Sequence, residues 1–342
     1  MKAGVLHKPR HLVVQEVPTP VPGPEDALVK VKSVGICGTD SHYWKTGSVG
    51  SFTIREPMIL GHEVSGEVVE VGEAVSNLSV GDRVTIEPGA PCRKCRFCKS
   101  GRYNLCPQKR FMGDPPTNGA FAEYVSWPSD FVFEMPEDMT YDEGAMIEPL
   151  AVGVYAVNRA HITPGDIVMI MGAGPVGLMI LQAALTAGAG KIIVSDTDDW
   201  RLEKAKSFGA TATINAKEDV LARIQDLTKG NYVDATMEAS GSREATAQAV
   251  KVTRRGGTIS LVGVYETGEF TYPLLDVIMK ELIVVGNIDG ANVFPRSLDL
   301  MASRRFDARK LITHHLPIDD IETGFRILDE KKEHALKMLV HP

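Results

Sequence analysis

This chain has little cysteine, no surplus of basic charge and no extended repeat, and each lack removes a class of protein. Only 5 of its 342 residues are cysteine. A sparse, odd-numbered set argues against a disulfide framework and points to a reducing compartment, with metal binding as the leading use of the thiols. The segment Met1–Arg10 is charged early and contains Pro9, unlike a secretory signal, so a cytoplasmic location is expected. Lys and Arg number 37 against 44 Asp and Glu, a net charge of −7. That balance argues against a general nucleic-acid or anionic-membrane partner and fits an enzyme of small molecules. No repeat with a period of about 20–50 residues is present. One uncharged run, Ile167–Gly190, is long enough to span a membrane. Gly172, Gly174, Pro175 and Gly177 divide it into a short strand and a helix, so no membrane span is expected.

What remains is a globular composition, 44% hydrophobic and 24% charged, on a chain long enough for two domains. Up to residue 150, short Val-rich runs (Leu28–Val34, Val64–Val71, Arg83–Ile86, Phe121–Val125) are separated by turn signals such as Pro22-Gly23-Pro24 and Gly81-Asp82. They predict a β-rich domain, a distorted barrel. After Glu148-Pro149 apolar strands alternate with amphipathic helices: Ile167–Met171, a helix from Pro175, Lys191–Asp196, a helix from Asp199, and Ala212–Ile214. Tyr232–Glu238, Thr258–Val264 and Glu281–Gly286 continue the series. Strands of this kind separated by helices form a parallel sheet covered on both faces, an α/β architecture. The tail from Ala291 to Pro342 signals one or two helices and a final strand, Ala335–Val340. It is too small to be a domain and is expected to pack back on the first.

Three motifs carry chemistry. Gly172-Ala173-Gly174-Pro175-Val176-Gly177 follows a strand and opens a helix. Its glycines allow a tight turn, close approach of the backbone to a pyrophosphate, and close helix–strand packing. Asp196 ends the next strand, about 20 residues on, and supplies the context that a lone GxGxxG lacks. The motif predicts dinucleotide binding; the competing reading is an ordinary glycine-rich turn. A carboxylate at Asp196 accepts the ribose hydroxyls of NAD and repels the extra phosphate of NADP, although Arg201 and Lys204 nearby keep NADP in view.

The second motif, Cys92-x2-Cys95-x2-Cys98-x7-Cys106, has the spacing of a closed tetrahedral zinc site whose role is to hold a loop. The surrounding Arg93, Lys94, Arg96 and Lys99 raise a nucleic-acid-binding finger as a rival. No histidine pair or recognition helix follows to support it. The third motif is dispersed. Cys37, His62 and Glu63 offer a thiol, an imidazole and a carboxylate, and three ligands leave a tetrahedral zinc one open position, as in a catalytic site. Glu148, in Ile147-Glu-Pro-Leu150, is a fourth ligand, a hydrogen-bond partner at the open position, or a surface carboxylate.

Gly61-His62-Glu63-x2-Gly66-x5-Gly72-x2-Val75 matches the zinc signature of the medium-chain dehydrogenases. Gly35-Ile-Cys-Gly-Thr-Asp-Ser-His-Tyr-Trp44, Pro57–Glu63, Ile86–Ala90, Gly101–Leu105 and Ile147–Leu150 narrow the likeness. The chain resembles the zinc-dependent medium-chain alcohol dehydrogenase family, and within it the polyol (sorbitol and xylitol) branch. The resemblance implies a GroES-like β-rich catalytic domain over residues 1–150, a Rossmann-fold doubly wound parallel sheet binding NAD over 151–288, and a segment 289–342 returning to the first. It implies catalytic zinc on Cys37, His62 and Glu63 with Glu148 beside or on it, and structural zinc on the four clustered cysteines. Thr39 and His42 would relay the proton, Asp40 would orient His62, and Tyr43, Phe111 and Asp289 would line the substrate pocket. Cofactor contacts would fall on the glycine turn, Asp196, Arg201, Val262, Val264, Asn287 and Asp289. A homotetramer or homodimer acting on a polyol or ketose is implied. One departure stands out: polyol dehydrogenases carry an arginine and an aromatic residue where this chain has Asp289 and Gly290. That leaves open a sister enzyme acting on threonine, a diol or a sugar acid such as idonate. A non-catalytic NAD-binding structural protein is the remaining alternative, and it tends to lose the catalytic ligands that are all present here.

Overall fold

A computed structural model describes residues 1–265, 269–330, 332 and 334–342. They form two units, Met1–Glu148 with Ala291–Pro342, and Pro149–Gly290. The first division falls within one helix, Ile147–Ala160.

The first unit is built around the strand Asp26–Gly35, whose Ala27, Val29 and Val31 are buried while Lys30 is exposed. Glu63–Val71 runs antiparallel along it. Tyr124–Pro128 pairs with its first half and Lys337–His341 with its last two residues. Arg83–Ile86 and Val132–Glu134 extend the sheet on one side, and Ile312–Pro317 extends it on the other by pairing parallel to Lys337–His341. A second sheet joins His11–Glu16, Lys2–Lys8 and Met58–Ile59. The core between these strands is sealed by the tail: Ile321, Phe325, Met338 and Val340 share one apolar cluster with Val5, Leu6 and Val29. Trp44 stacks on Phe325 at 5.7 Å, and Phe121 meets the same ring edge-on at 6.0 Å. Burial of rings on this scale is worth about 3–5 kcal/mol each on truncation to alanine.

Sequence patterning located most of these strands but erred at three places. The run expected at Phe121–Val125 is a strand only from Tyr124 to Pro128. The strand expected at Ala335–Val340 begins at Lys337. Ile312–Pro317, in a tail expected to hold helices and one final strand, is a second strand, paired parallel to Lys337–His341.

The second unit is a six-stranded sheet, parallel throughout. Its spatial order is Ala212–Asn215, Lys191–Asp196, Ile167–Met171, Val233–Glu238, Thr253–Leu261, Ile283–Gly286. In order of appearance that is 3-2-1-4-5-6, the doubly wound arrangement that binds dinucleotides where the strand order reverses. Helices Pro175–Thr186, Asp199–Ser207, Val220–Thr228 and Arg243–Val252 lie in the first four crossovers, and Leu274–Met279 in the fifth. The strand expected at Thr258–Val264 runs instead from Thr253 to Leu261. Its end turns off because the amides of Val262 and Gly263 both donate to the Glu238 carbonyl.

Candidate active site

Three ligand types meet in the first unit. Cys37 caps the helix Gly38–Thr46, and His62 and Glu63 stand at the start of the strand Glu63–Val71. The Cys37 sulfur, a His62 nitrogen and a Glu63 oxygen lie within 4.8 Å of one another. His62 and Glu63 are buried, while Cys37 is partly open. The fully buried Asp40 ties the pieces together. One of its oxygens accepts the Cys37 amide at 2.9 Å, and the other accepts the Gly61 amide at 3.0 Å and faces His62 Nδ1 at 3.6 Å. Burial raises the Asp40 pKa above the usual carboxylate range, against the lowering effect of His62 and the two amides. Burial opposes charge on His62 as well, but Asp40, Cys37 and Glu148 outweigh it and hold its pKa well above the ordinary value. An imidazole ringed by anionic groups is a place built for positive charge. This donor set fits a zinc ion: soft sulfur, nitrogen and oxygen, with an outer carboxylate to orient the histidine.

Glu148 is buried at the first turn of Ile147–Ala160. Its charge acts on both His62 and Lys337, but its oxygens lie outside the three-ligand cluster. Thr39 and His42, half-buried, are one turn apart on the helix Gly38–Thr46 and share a face. Tyr43 and Trp44, on the same helix, are buried in the core. Burial, together with Asp114, raises the Tyr43 phenol above its usual range. Phe111 packs edge-on against His62 at 5.3 Å.

Sequence reasoning missed Lys337. Its ammonium is fully buried and lies 2.6 and 2.7 Å from the two oxygens of Glu63, with a third bond of 3.2 Å to the Ile36 carbonyl. Burial pulls its pKa down, yet Glu63, Cys37 and Glu148 together raise it above the ordinary lysine value. The available signal was a lone lysine inside the apolar run Ala335–Val340. Gly35 makes room for the same carboxylate, since a Cβ there would overlap Glu63 Oε2.

The four clustered cysteines also converge, all within 4.8 Å. Cys95 and Cys98 sulfurs are 3.4 Å apart, and those of Cys92 and Cys98 are 3.9 Å apart. Zinc–sulfur bonds of about 2.3 Å at tetrahedral angles need edges of about 3.8 Å, so the set fits a closed zinc site. Hydrogen bonds from the Lys94 and Cys95 amides lower the Cys92 thiol to about 6, while burial pushes Cys98 up to about 12. Asn292 braces this loop, its amide donating to the Tyr103 hydroxyl at 2.8 Å and its side chain to the Gly101 carbonyl at 2.7 Å.

In the second unit Gly172 adopts φ +104°, left-handed backbone that favours glycine. A Cβ on Gly177 would collide with the Gly172 carbonyl, so helix and strand pack at glycine distance there. At Gly174, which caps the helix Pro175–Thr186, a Cβ would meet only Arg201 Nη1, at 4.0 Å. The turn is therefore open where a pyrophosphate would approach the helix N-terminus. Asp196 accepts the Ala173 amide at 2.7 Å and the Asp198 amide at 3.0 Å, one on each oxygen. Each oxygen keeps a lone pair for a ribose hydroxyl. Asn287 donates to Ser260 Oγ and the Leu261 carbonyl, and its own Oδ1 is buried without a hydrogen bond. Asp289 follows at φ +51°, half-buried. Val262 and Val264 lie past the strand Thr253–Leu261, with Val264 exposed.

Residues 23–137 match the family model of the alcohol dehydrogenase GroES-like domain, and residues 175–303 match that of the zinc-binding dehydrogenases. A sorbitol dehydrogenase of Bacillus subtilis is 40% identical over 100% of this chain and 97% of its own. An L-idonate 5-dehydrogenase of Vitis vinifera is also 40% identical, over 92% and 87%. The crystal structure of 2R,3R-butanediol dehydrogenase from Bacillus subtilis superposes with a TM-score of 0.90 at 35% identity, covering 100% of this chain and 99% of that one. The chain belongs to the zinc-dependent medium-chain alcohol dehydrogenase family, in its polyol branch.

This dehydrogenase is an NAD-dependent oxidoreductase of CH–OH groups that uses zinc and NAD(H). The GroES-like unit holds the Cys37–His62–Glu63 cluster and the four-cysteine cluster, and the unit of the parallel sheet holds the glycine turn with Asp196. Among the described residues no helix of the dehydrogenase is long and apolar enough to cross a membrane.

Proposed function

We propose that the chain oxidises a secondary alcohol of an alditol to the ketose, reversibly, with NAD+ as hydride acceptor. The observation that carries this reading is the convergence of Cys37, His62 and Glu63 with Asp40 behind them. Bound there, zinc supplies a Lewis acid that favours the deprotonated alcohol, and NAD+ accepts the hydride. Cys37, His62 and Glu63 hold the ion, and Asp40 fixes the His62 ring. Thr39 takes the hydroxyl hydrogen bond and His42, one turn on, passes the proton towards solvent, a task suited to an imidazole at neutral pH. Asp196 selects NAD through its two free lone pairs, with Arg201 beside the glycine turn. The four clustered cysteines hold the second zinc. A cytoplasmic location agrees with thiols kept reduced for metal binding.

A second reading rests on Asp289 and Gly290, which replace a cation and a ring by an anion and a hydrogen. A diol or another non-polyol alcohol then becomes the substrate, and a sugar acid is disfavoured by like charge at Asp289. A panel of alditols, diols, threonine and idonate, followed by NADH absorbance, separates the readings. Turnover of threonine or a diol without any alditol would overturn the first. Cys37→Ser is expected to abolish turnover and leave NAD binding intact; full activity with that zinc lost would sink the mechanism.

We also infer a homodimer or homotetramer joined through the edge of the parallel sheet. The edge strand Ile283–Gly286 and the neighbouring helix Leu274–Met279 expose Ile283, Val284, Leu274, Leu275, Ile278 and Met279. An apolar strand edge left open invites pairing with a second copy.

A further inference from the structure

We propose that Asp142, His315 and His341 form an additional metal site, for a divalent ion of the zinc class, on the surface of the first unit. The strand register brings the two histidines together. In the parallel pair Ile312–Pro317 and Lys337–His341, His315 stands opposite Leu339 and Pro317 opposite His341. Side chains two residues apart on a strand share a face, so His315 and His341 are diagonal neighbours. Across the other edge, Val340 pairs with Val34, which brings Ser33 alongside His341. The helix Tyr141–Ala145 packs on the strands Asp26–Gly35 and Glu63–Val71 and brings Asp142 to both Ser33 and His341.

The donor atoms are nearly in place. His341 Nε2 is 2.9 Å from Asp142 Oδ1, and His315 Nδ1 is 3.6 Å from Asp142 Oδ2. All three donors lie within 4.8 Å of one another. An ion bound at about 2.0–2.2 Å sets its ligands about 3.0–3.5 Å apart, and the two nitrogen–carboxylate distances lie within about 0.1 Å of that range, one to each oxygen of Asp142. The third edge closes by rotation of His315, whose side chain is 53% exposed. Ser33 Oγ donates to Asp142 Oδ1 at 2.8 Å and fixes the carboxylate, as metal-binding carboxylates require. Solvent reaches the open side, so water can fill the remaining positions. Two imidazoles and one carboxylate select zinc-like ions over calcium and magnesium.

Such an ion would fasten the C-terminal strand to its neighbour and to the helix Tyr141–Ala145. That strand also carries Lys337, four residues before His341 and bonded to Glu63. The inference rests on strand register and donor distances and survives if the substrate reading fails.

The test uses the zinc-loaded protein dialysed against micromolar free Zn2+, with metal counted by atomic emission and Tm measured alongside. One additional zinc per chain is expected, with a Tm that rises with free zinc. His315→Gln leaves the Ser33–Asp142–His341 bonds in place, so it keeps the fold while losing both the extra zinc and the Tm response. His341→Gln should do the same. No additional zinc in the parent, or an additional zinc retained in both variants, would overturn the assignment.

Discussion

Lys337→Met removes a buried cation and leaves a side chain of similar size, so it isolates charge from packing. The ammonium has three donors, and all are used: two on Glu63 and one on the Ile36 carbonyl. Both partners are buried, at 2% and 1% side-chain exposure, so solvent offers Glu63 no substitute. The other charges acting on Lys337 come from Cys37 and Glu148, both of the same sign as Glu63. Breaking such a pair by deleting one partner costs about 3–5 kcal/mol, a large part of the ~5–15 kcal/mol that holds a protein folded. Urea unfolding followed by tryptophan fluorescence reads this directly, since Trp44 and Trp127 are buried in the first unit. The loss should be greater in protein stripped of zinc than in zinc-loaded protein, because an ion at Cys37, His62 and Glu63 partly replaces the missing charge. Adding Glu63→Gln to Lys337→Met should recover most of the loss in the stripped protein, since neither partner is then left charged and alone. A loss under about 1 kcal/mol, the value of an exposed pair, would refute the reasoning.

Other outcomes follow from the same structure. Gly35→Ala should displace the Glu63 carboxylate and reduce zinc at the catalytic cluster while the four-cysteine zinc stays; unchanged metal content at both would contradict the packing. Burial raises the Asp142 pKa, but hydrogen bonds from His341 and Ser33 outweigh it, so the folded value lies below the ordinary 3.8. Its stabilisation is therefore present above about pH 4 and lost as pH falls through the folded value, and the stability difference between parent and His341→Gln should vanish with it. Circular dichroism against pH measures this, and a difference that persists into acid would refute it. Ile283→Lys puts charge on the exposed sheet edge and should yield monomers in light scattering; an unchanged mass would remove that edge as the interface.

The sequence was most legible where a site is made by neighbouring residues. The glycine turn needs only a strand before it, a helix after it and Asp196 on the next strand, and local backbone geometry does the rest. The four cysteines lie in one short stretch, Cys92 to Cys106. Cys37, His62 and Glu63 are farther apart, yet one pair of strands brings them together: Gly35 lies opposite Glu63, so the ends of the two strands carry all three proposed ligands to one place. Features decided by the tail were not legible in the same way. Lys337 meets Glu63 across 274 positions, and Ile312–Pro317 becomes a strand only because Lys337–His341 lies beside it. Even so, the pattern held one usable constraint. A lysine within the apolar run Ala335–Val340 cannot be buried without a counter-charge, because an unpaired ammonium in a core costs several kcal/mol, on the order of the fold's whole stability. The run therefore required an acidic partner in the interior of the first unit. Glu63, itself buried, is that partner, and the tail supplies its cation.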